Sequence, residues 1–240
     1  MRTSLLAIVI ALGCCISAVA QLDDILKKAD ATLQQRDTAS LSDSKIVAGL
    51  KQALEISTSK AVAATGRPDG FLKNEAIKIS LPPKLETVGR GLRLLGMGDK
   101  VDELETGMNR AAEQATPQAK QIFLAALRKM TFEDARHVLT GDDTAATEYF
   151  KRTSSVDLTT AFSPIVHTTM EHVGVVQQYD RVIKSAPGGG TIANEFDLDK
   201  YVVGKTLDGL FYMLGREEQK IRKNPAAQTT VLLKEVFGRK

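Results

Sequence analysis

The sequence predicts an all-α, single-domain, multi-helix bundle around one buried helix in its C-terminal half, with one extended segment near residues 67–83. Three observations predict it. Apolar residues recur at steps of three and four along most of the chain, which is the period of an amphipathic helix. Caps and stops (Ser, Thr, Asp or Pro before a run, Gly after it) punctuate that pattern at short spacing, as helix boundaries do. Only Ile77-Lys78-Ile79-Ser80-Leu81 alternates like a strand, and a lone strand has nothing to pair with.

The first twenty residues stand apart from the fold. Arg2, the apolar run Leu5–Leu12 and Ala18-Val19-Ala20 before Gln21 have the three-part form of a signal peptide cleaved after Ala20. The alternative is a lipoprotein anchored through Cys14, because Ala11-Leu12-Gly13-Cys14 resembles a lipobox with Ala where Leu is usual. Either way the protein is expected to be exported, periplasmic or secreted if cleavage follows Ala20 and lipid-anchored in the alternative. Both cysteines, Cys14 and Cys15, lie in this segment, so cleavage after Ala20 leaves no disulfide and no thiol chemistry. A polar leader over 21–41 then joins the helical domain of 42–240.

The first helix starts near Ser42 or Ser44, turns Ile46, Leu50, Ala53, Leu54 and Ser57 inward, and stops at Gly66. Pro68-Asp69-Gly70 is turn chemistry. The segment that follows is expected to lie across the helices, pinned by Phe71, Ile77, Ile79 and Leu81. Pro83 opens the next helix, with Leu85, Val88, Leu92 and Leu95 inward and Gly96 at its end. Asp99 is expected to cap a helix burying Val101, Leu104 and Met108. Thr116-Pro117 opens another with Ile122, Leu124, Ala126, Leu127 and Met130 as core. Thr131 and Asp134 form a capping-box variant ahead of a short helix ended by Gly141.

Asp143 is expected to cap the TAATEYFKRT helix, and Ser154 or Ser155 to start a longer one to Gly174, with a kink or break at Pro164. Val175–Ala186 reads as helix and Pro187–Gly190 as loop. The buried hub is Asp197–Asn224, with a stripe of Val203, Leu207, Leu210, Leu214 and Ile221. Leu198, Tyr201, Val202, Tyr212 and Met213 lie opposite, so its middle is apolar nearly all round. A last helix follows Pro225, packing through Val231, Leu232, Leu233, Val236 and Phe237.

Several runs carry a resemblance. VDELETGMNRAAE (Val101–Glu113), DGFLKN (Asp69–Asn74), IKISLP (Ile77–Pro82), FEDA (Phe132–Ala135), AATEYF (Ala145–Phe150), LDGLF (Leu207–Phe211) and IRKNPAAQTTVLLKEVFG (Ile221–Gly238) occur in this order. By these runs the chain resembles the exported bacterial family known as domain of unknown function 4197, over about Leu41 to Gly238. Gln228 departs from it, standing where Arg is expected. The resemblance implies export and a helical fold, and no activity.

Charge excludes one class of partner. Lys and Arg number 32 against 29 Asp and Glu, and the two signs are interspersed, whereas a nucleic-acid surface needs a basic stripe. The mature chain has no stretch apolar enough to span a membrane, and the sequence specifies neither a cofactor nor an oligomeric state. His167, Glu171 and His172 invite a metal reading. Histidines five apart, however, stand about 140° round a helix and cannot share one ion, so no metal site is expected.

Two polar groups remain. Asp102, Glu105, Asn109 and Glu113 share one face of a helix, beside Arg110. Buried together they would suit general acid–base work; otherwise they form the solvated side of an amphipathic helix. Glu218 and Arg222, four apart in acid-first order beside Glu217, make either a structural ion pair or the second half of a joint site. Glycines at 89, 91, 204, 209 and 215 mark close helix approach or the wall of an apolar cavity lined by Phe211, Met213 and Leu214. The expected function is non-enzymatic binding of an apolar small molecule or an envelope partner. Binding candidates are Asp102, Asn109, Glu218, Phe211, Met213 and Leu214. One alternative is a hydrolytic enzyme using Glu105 and Glu113 with Arg110 or Arg222; a third reading is a structural envelope component.

Overall fold

The computed structural model describes residues 44–172, 174 and 197–224. The signal segment with its cysteines, the leader, the helix expected over 175–186, the loop at 187–190 and the helix after Pro225 lie outside the described residues. The chain divides into two compact units, Met1–Ala48 and Gly49–Lys240. Described residues 44–48 of the first are helical.

The second unit is all-α, with no strand among the described residues. It opens with α1 (residues 49–66), in which Leu50, Ala53, Leu54 and Ser57 are buried as their spacing predicts. Then come α2 (Pro83–Leu94), α3 (Gly98–Ala115), a 3₁₀ turn (Thr116–Gln118), α4 (Ala119–Lys129), α5 (Phe132–Thr140), α6 (Ala145–His172) and α7 (Leu198–Lys223). No helix of the described residues is long and apolar enough to cross a membrane.

The hub helix is α7, capped by Asp197, whose side chain accepts from the Lys200 N–H. Val202, Val203, Leu210, Leu214 and Ile221 are buried, but Tyr212 stands out of the core and Leu207 is half-buried, so α7 keeps one wet edge. It packs antiparallel to α6: Glu218 meets residues 146 and 147, while Asp199 meets His167. Phe123 of α4 fills the centre, edge-on to Phe150 at 5.0 Å and 6.2 Å from Phe211.

Between α1 and α2 the chain is extended or turned. Asp69 takes a left-handed conformation (φ 65°), tolerated by a short polar side chain. At Gly70 any Cβ would meet the Ala64 and Thr65 carbonyl oxygens at 2.5 and 2.6 Å. Phe71, Ile77, Ile79 and Leu81 are all buried. The segment therefore lies across the helices, pinned by the expected residues.

Five local expectations differ. Leu95 is exposed: its N–H still closes a helical bond to the Gly91 carbonyl at 3.1 Å, but it stands two turns on from the half-buried Val88, off the buried line of Leu85, Gly89 and Leu92. Asp99 sits inside the first turn of α3, after an N-cap at Met97 that has no side-chain bond. Thr116-Pro117 forms a 3₁₀ bridge between α3 and α4. That shifts the phase of α4, leaving Ile122 and Leu124 half-buried and Phe123 wholly buried. The helices expected on either side of Ser154 are one, α6, with Pro164 inside it. Hydroxyls of Thr153, Ser155, Thr159, Thr160 and Ser163 satisfy themselves on carbonyls four residues back, so Ser and Thr do not break it. Asp143 pairs with Lys223, and it is Asp142 whose side chain accepts from the Thr144 N–H at 3.1 Å.

Candidate functional site

The polar row of α3 faces the extended segment. Glu113 accepts from the Phe71 and Leu72 N–H groups at 3.0 and 3.1 Å with one oxygen. Its other oxygen takes the Arg110 guanidinium at 2.6 Å. Asn109, wholly buried, accepts from the Ile79 N–H at 2.9 Å and donates to the Ile79 and Glu105 carbonyls at 2.8 and 2.7 Å. Glu105 accepts from the Leu81 N–H at 3.2 Å. Asp102, at the exposed end of the row, pairs with Arg93 at 2.5 Å.

Residues 71, 72, 79 and 81 thus hand their backbone N–H groups to one face of one helix. The reason is physical: a segment with no neighbouring strand must still satisfy its buried backbone donors, and side chains on α3 do what a sheet partner would do. Apolar contacts hold the other side. Phe71 and Ile77 lie against Gly209 of α7, where an added Cβ would come within 2.6 Å of Phe71 Cε1 and 3.1 Å of Ile77 Cβ. The Tyr201 hydroxyl donates to the Ser80 carbonyl at 3.1 Å.

Arg110 also bonds Asp69 at 2.7 Å, and Lys73 pairs with Asp69 at 2.8 Å. Hydrogen bonds from Lys73 and then Arg110 hold the Asp69 carboxyl below its ordinary range. The bonds to Glu113 and then Asp69 raise Arg110. Both shifts favour the charged forms, as fits an ion-pair chain.

The second group, Glu218 and Arg222, is buried. Glu218 accepts from the Ala146 and Thr147 N–H groups, both at 2.9 Å, and from the Thr147 hydroxyl at 2.8 Å. These are first-turn donors of α6, where a negative charge meets the positive end of the helix dipole. Arg222 bonds Glu218 through Nε at 3.0 Å and through Nη2 at 2.9 Å. It also donates to the Val138 and Leu139 carbonyls at 2.6 and 3.5 Å, at the negative end of α5. One ion pair therefore joins the end of α5, the start of α6 and the last turns of α7. The two polar groups reach different elements, residues 69–81 in one case and α5–α6 in the other.

The apolar candidates separate as well. Leu214 is core and Met213 is half-buried, its sulfur taking a contact from Asn74 at 3.7 Å. Phe211 lines an open groove of about 300 Å³ between α6 and α7, with Thr147, Lys151, Tyr212 and Arg216. Of the five glycines at 89, 91, 204, 209 and 215, those at 89 and 209 sit where a side chain would collide with a neighbour; 91 and 204 face open space, and 215 has ordinary contacts.

His167 Nδ1 lies 2.6 Å from Asp199 and its Nε2 3.5 Å from Glu171. The bond to Asp199 raises the His167 pKa. Among the described residues no three His, Cys, Asp or Glu side chains gather closely enough to hold a metal ion.

Sequence reasoning missed Asp69 and Arg93 as partners of the α3 row, and Thr147 as a partner of Glu218. The Asp69-Gly70 turn signal was visible; what it turned toward was not.

No curated protein and no solved structure matches the chain. A family model does match, over residues 40–238, and that span contains both polar groups described above. The chain belongs to that family, described as protein of unknown function (DUF4197).

Proposed function

We propose that this chain is an exported, non-enzymatic helical protein that works by binding a partner surface in the cell envelope. One observation carries the reading: the two carboxylates that are buried among the described residues, Glu113 and Glu218, are already occupied. Glu113 holds two backbone N–H groups and a guanidinium. Glu218 holds two N–H groups, a hydroxyl and a guanidinium. A general base needs a free lone pair aimed at a substrate, and these lone pairs are aimed at the protein.

A surface partner is favoured over an enclosed apolar ligand. Leu214 is in the core, and the groove beside Phe211 is open and carries Lys151, Glu148, Asp208 and Arg216, whereas apolar ligands are held in concave, mostly apolar pockets. Large apolar side chains are instead exposed at Leu94, Leu95 and Met97.

The deciding experiment is Glu113→Gln. A clamp loses the charge on its bond to Arg110, so stability should fall by about 1–3 kcal/mol in urea titration. A catalytic carboxylate held at a cost would behave oppositely. Unchanged or raised stability, together with loss of a hydrolytic activity present in the parent, would overturn the proposal. Export is checked by fractionation and by the mass of the processed chain, expected to begin at Gln21.

A further inference from the structure

The extended segment meets α7 at three points. The Tyr201 hydroxyl donates to the Ser80 carbonyl, Gly209 makes room for Phe71 and Ile77, and one turn further on Met213 reaches Asn74. The last contact differs in kind, because its acceptor is a thioether: Asn74 Nδ2 donates to the Met213 sulfur at 3.7 Å. The amide is oriented from its other end, where Oδ1 accepts from the Ala76 N–H at 3.2 Å, so the nitrogen is left to face the sulfur. The same residue closes the turn. Its carbonyl accepts from the Ile77 and Lys78 N–H groups at 3.0 and 2.8 Å.

Sulfur is a weak acceptor, and it is also the atom of this contact that oxidants attack. Met108, Met130 and Met170 are buried, whereas Met213 is half-buried next to the exposed Tyr212. Met97 is exposed as well, but among the described residues no hydrogen bond reaches its sulfur.

We infer that Met213 is an oxidation site for hydroperoxides and that the Asn74 amide holds the resulting sulfoxide, tightening the extended segment against α7. A sulfur lone pair attacks one peroxide oxygen, so that the S–O bond forms as the O–O bond breaks. Sulfur gives up two electrons to the peroxide. The departing oxygen takes the proton of the transferred one and leaves as water or alcohol. A sulfoxide in a packed contact ordinarily loosens it, because a polar oxygen now needs a partner. Here a donor already faces the sulfur, and the flexible, unbranched Met side chain can rotate the new oxygen onto it. The sign is therefore reversed: a strong oxygen acceptor replaces a weak sulfur one on the bond that joins α7 to the turn.

The test uses the full chain with Met97→Leu, so that oxidation reports position 213. It is treated with hydrogen peroxide and followed by peptide mass mapping and amide hydrogen exchange. Met213 should take up one oxygen at least about tenfold faster than the buried Met108, Met130 and Met170. The oxidised chain should exchange its Ile77 and Lys78 N–H groups about two- to tenfold more slowly than the reduced chain, the change that one better hydrogen bond supplies. Asn74→Asp keeps the acceptor for the Ala76 N–H and removes the donor to sulfur, so its oxidised form should exchange faster than its reduced form. Met213→Leu should show no response of the turn to peroxide. Three results each overturn the proposal: Met213 oxidising no faster than the buried methionines, an oxidised parent whose turn exchanges no more slowly, or an Asn74→Asp chain that slows as the parent does.

Discussion

Asn109 shows how much one side chain decides. It sits mid-helix, where its propensity is poor, yet it accepts from and donates to the same residue, Ile79, replacing a strand neighbour with a single amide. Substitution by Asp tests this closely, because shape is kept and chemistry is not. The carboxylate still accepts from the Ile79 N–H, but two donors become acceptors facing the Ile79 and Glu105 carbonyls. Unsatisfied buried groups cost about 1–3 kcal/mol each, so Asn109→Asp should destabilise by about 2–5 kcal/mol, read as a lower urea midpoint with unchanged slope. His167 makes a prediction in pH. Its bond to Asp199 raises the folded pKa above the ordinary value, so the stabilisation is complete below about pH 6.5 and is lost as pH rises through the folded pKa. Glu171 on α6 adds to the same attraction. The Tm advantage of the parent over His167→Gln should therefore be largest in mild acid and vanish in alkali.

At the scale of the element, α7 carries its own control experiment. Gly209 and Gly204 lie in the same helix, and each costs about 1 kcal/mol relative to Ala by propensity alone. At 204 nothing lies within 4 Å of an added Cβ, whereas at 209 it would press on Phe71 and Ile77. Gly204→Ala should raise stability by about 0.5–1 kcal/mol. Gly209→Ala should lower it by about 1–3 kcal/mol, the usual cost of overpacking. Thermal melts of the two variants should move in opposite directions, and a gain at 209 would mean that the extended segment is not wedged against α7. Sequence spacing alone reads both glycines alike, since it reports which face a residue is on and not what lies across from it.

For the whole molecule, the division between what the sequence discloses and what it conceals follows the range of the interaction. Local signals were legible: the Thr131–Asp134 capping box is formed on both sides, Asp197 caps α7, and Phe71, Ile77, Ile79 and Leu81 are buried. The α3 row was legible as a face. What it faces was not, because its partners are backbone N–H groups 24 to 42 residues earlier in the chain, and an N–H carries no residue signature. Glu218 and Arg222 were legible as an i,i+4 pair, but the helix ends they join lie 71 to 84 residues away. Leu95 was obscured for the opposite reason, since a step of three from Leu92 reads as core while the buried line of α2 runs through Leu85, Gly89 and Leu92. The resulting architecture has two polar clamps, one tying the extended segment to α3 and one tying α5 and α6 to α7, with no partner in common among the bonds described. Along α7, Gly209 under Phe71 and Glu218 stand nine residues apart, about 14 Å at 1.5 Å per residue. Substitutions at sites that far apart with no shared partner add to within about 0.5 kcal/mol. Glu218→Ala strands a buried guanidinium and should cost about 3–5 kcal/mol, against about 1–3 kcal/mol for Glu113→Gln. Their combination should equal the sum in a double-mutant cycle. A coupling above about 1 kcal/mol would mean that α7 transmits strain from one clamp to the other, making the helix a mechanical link and not merely a shared wall.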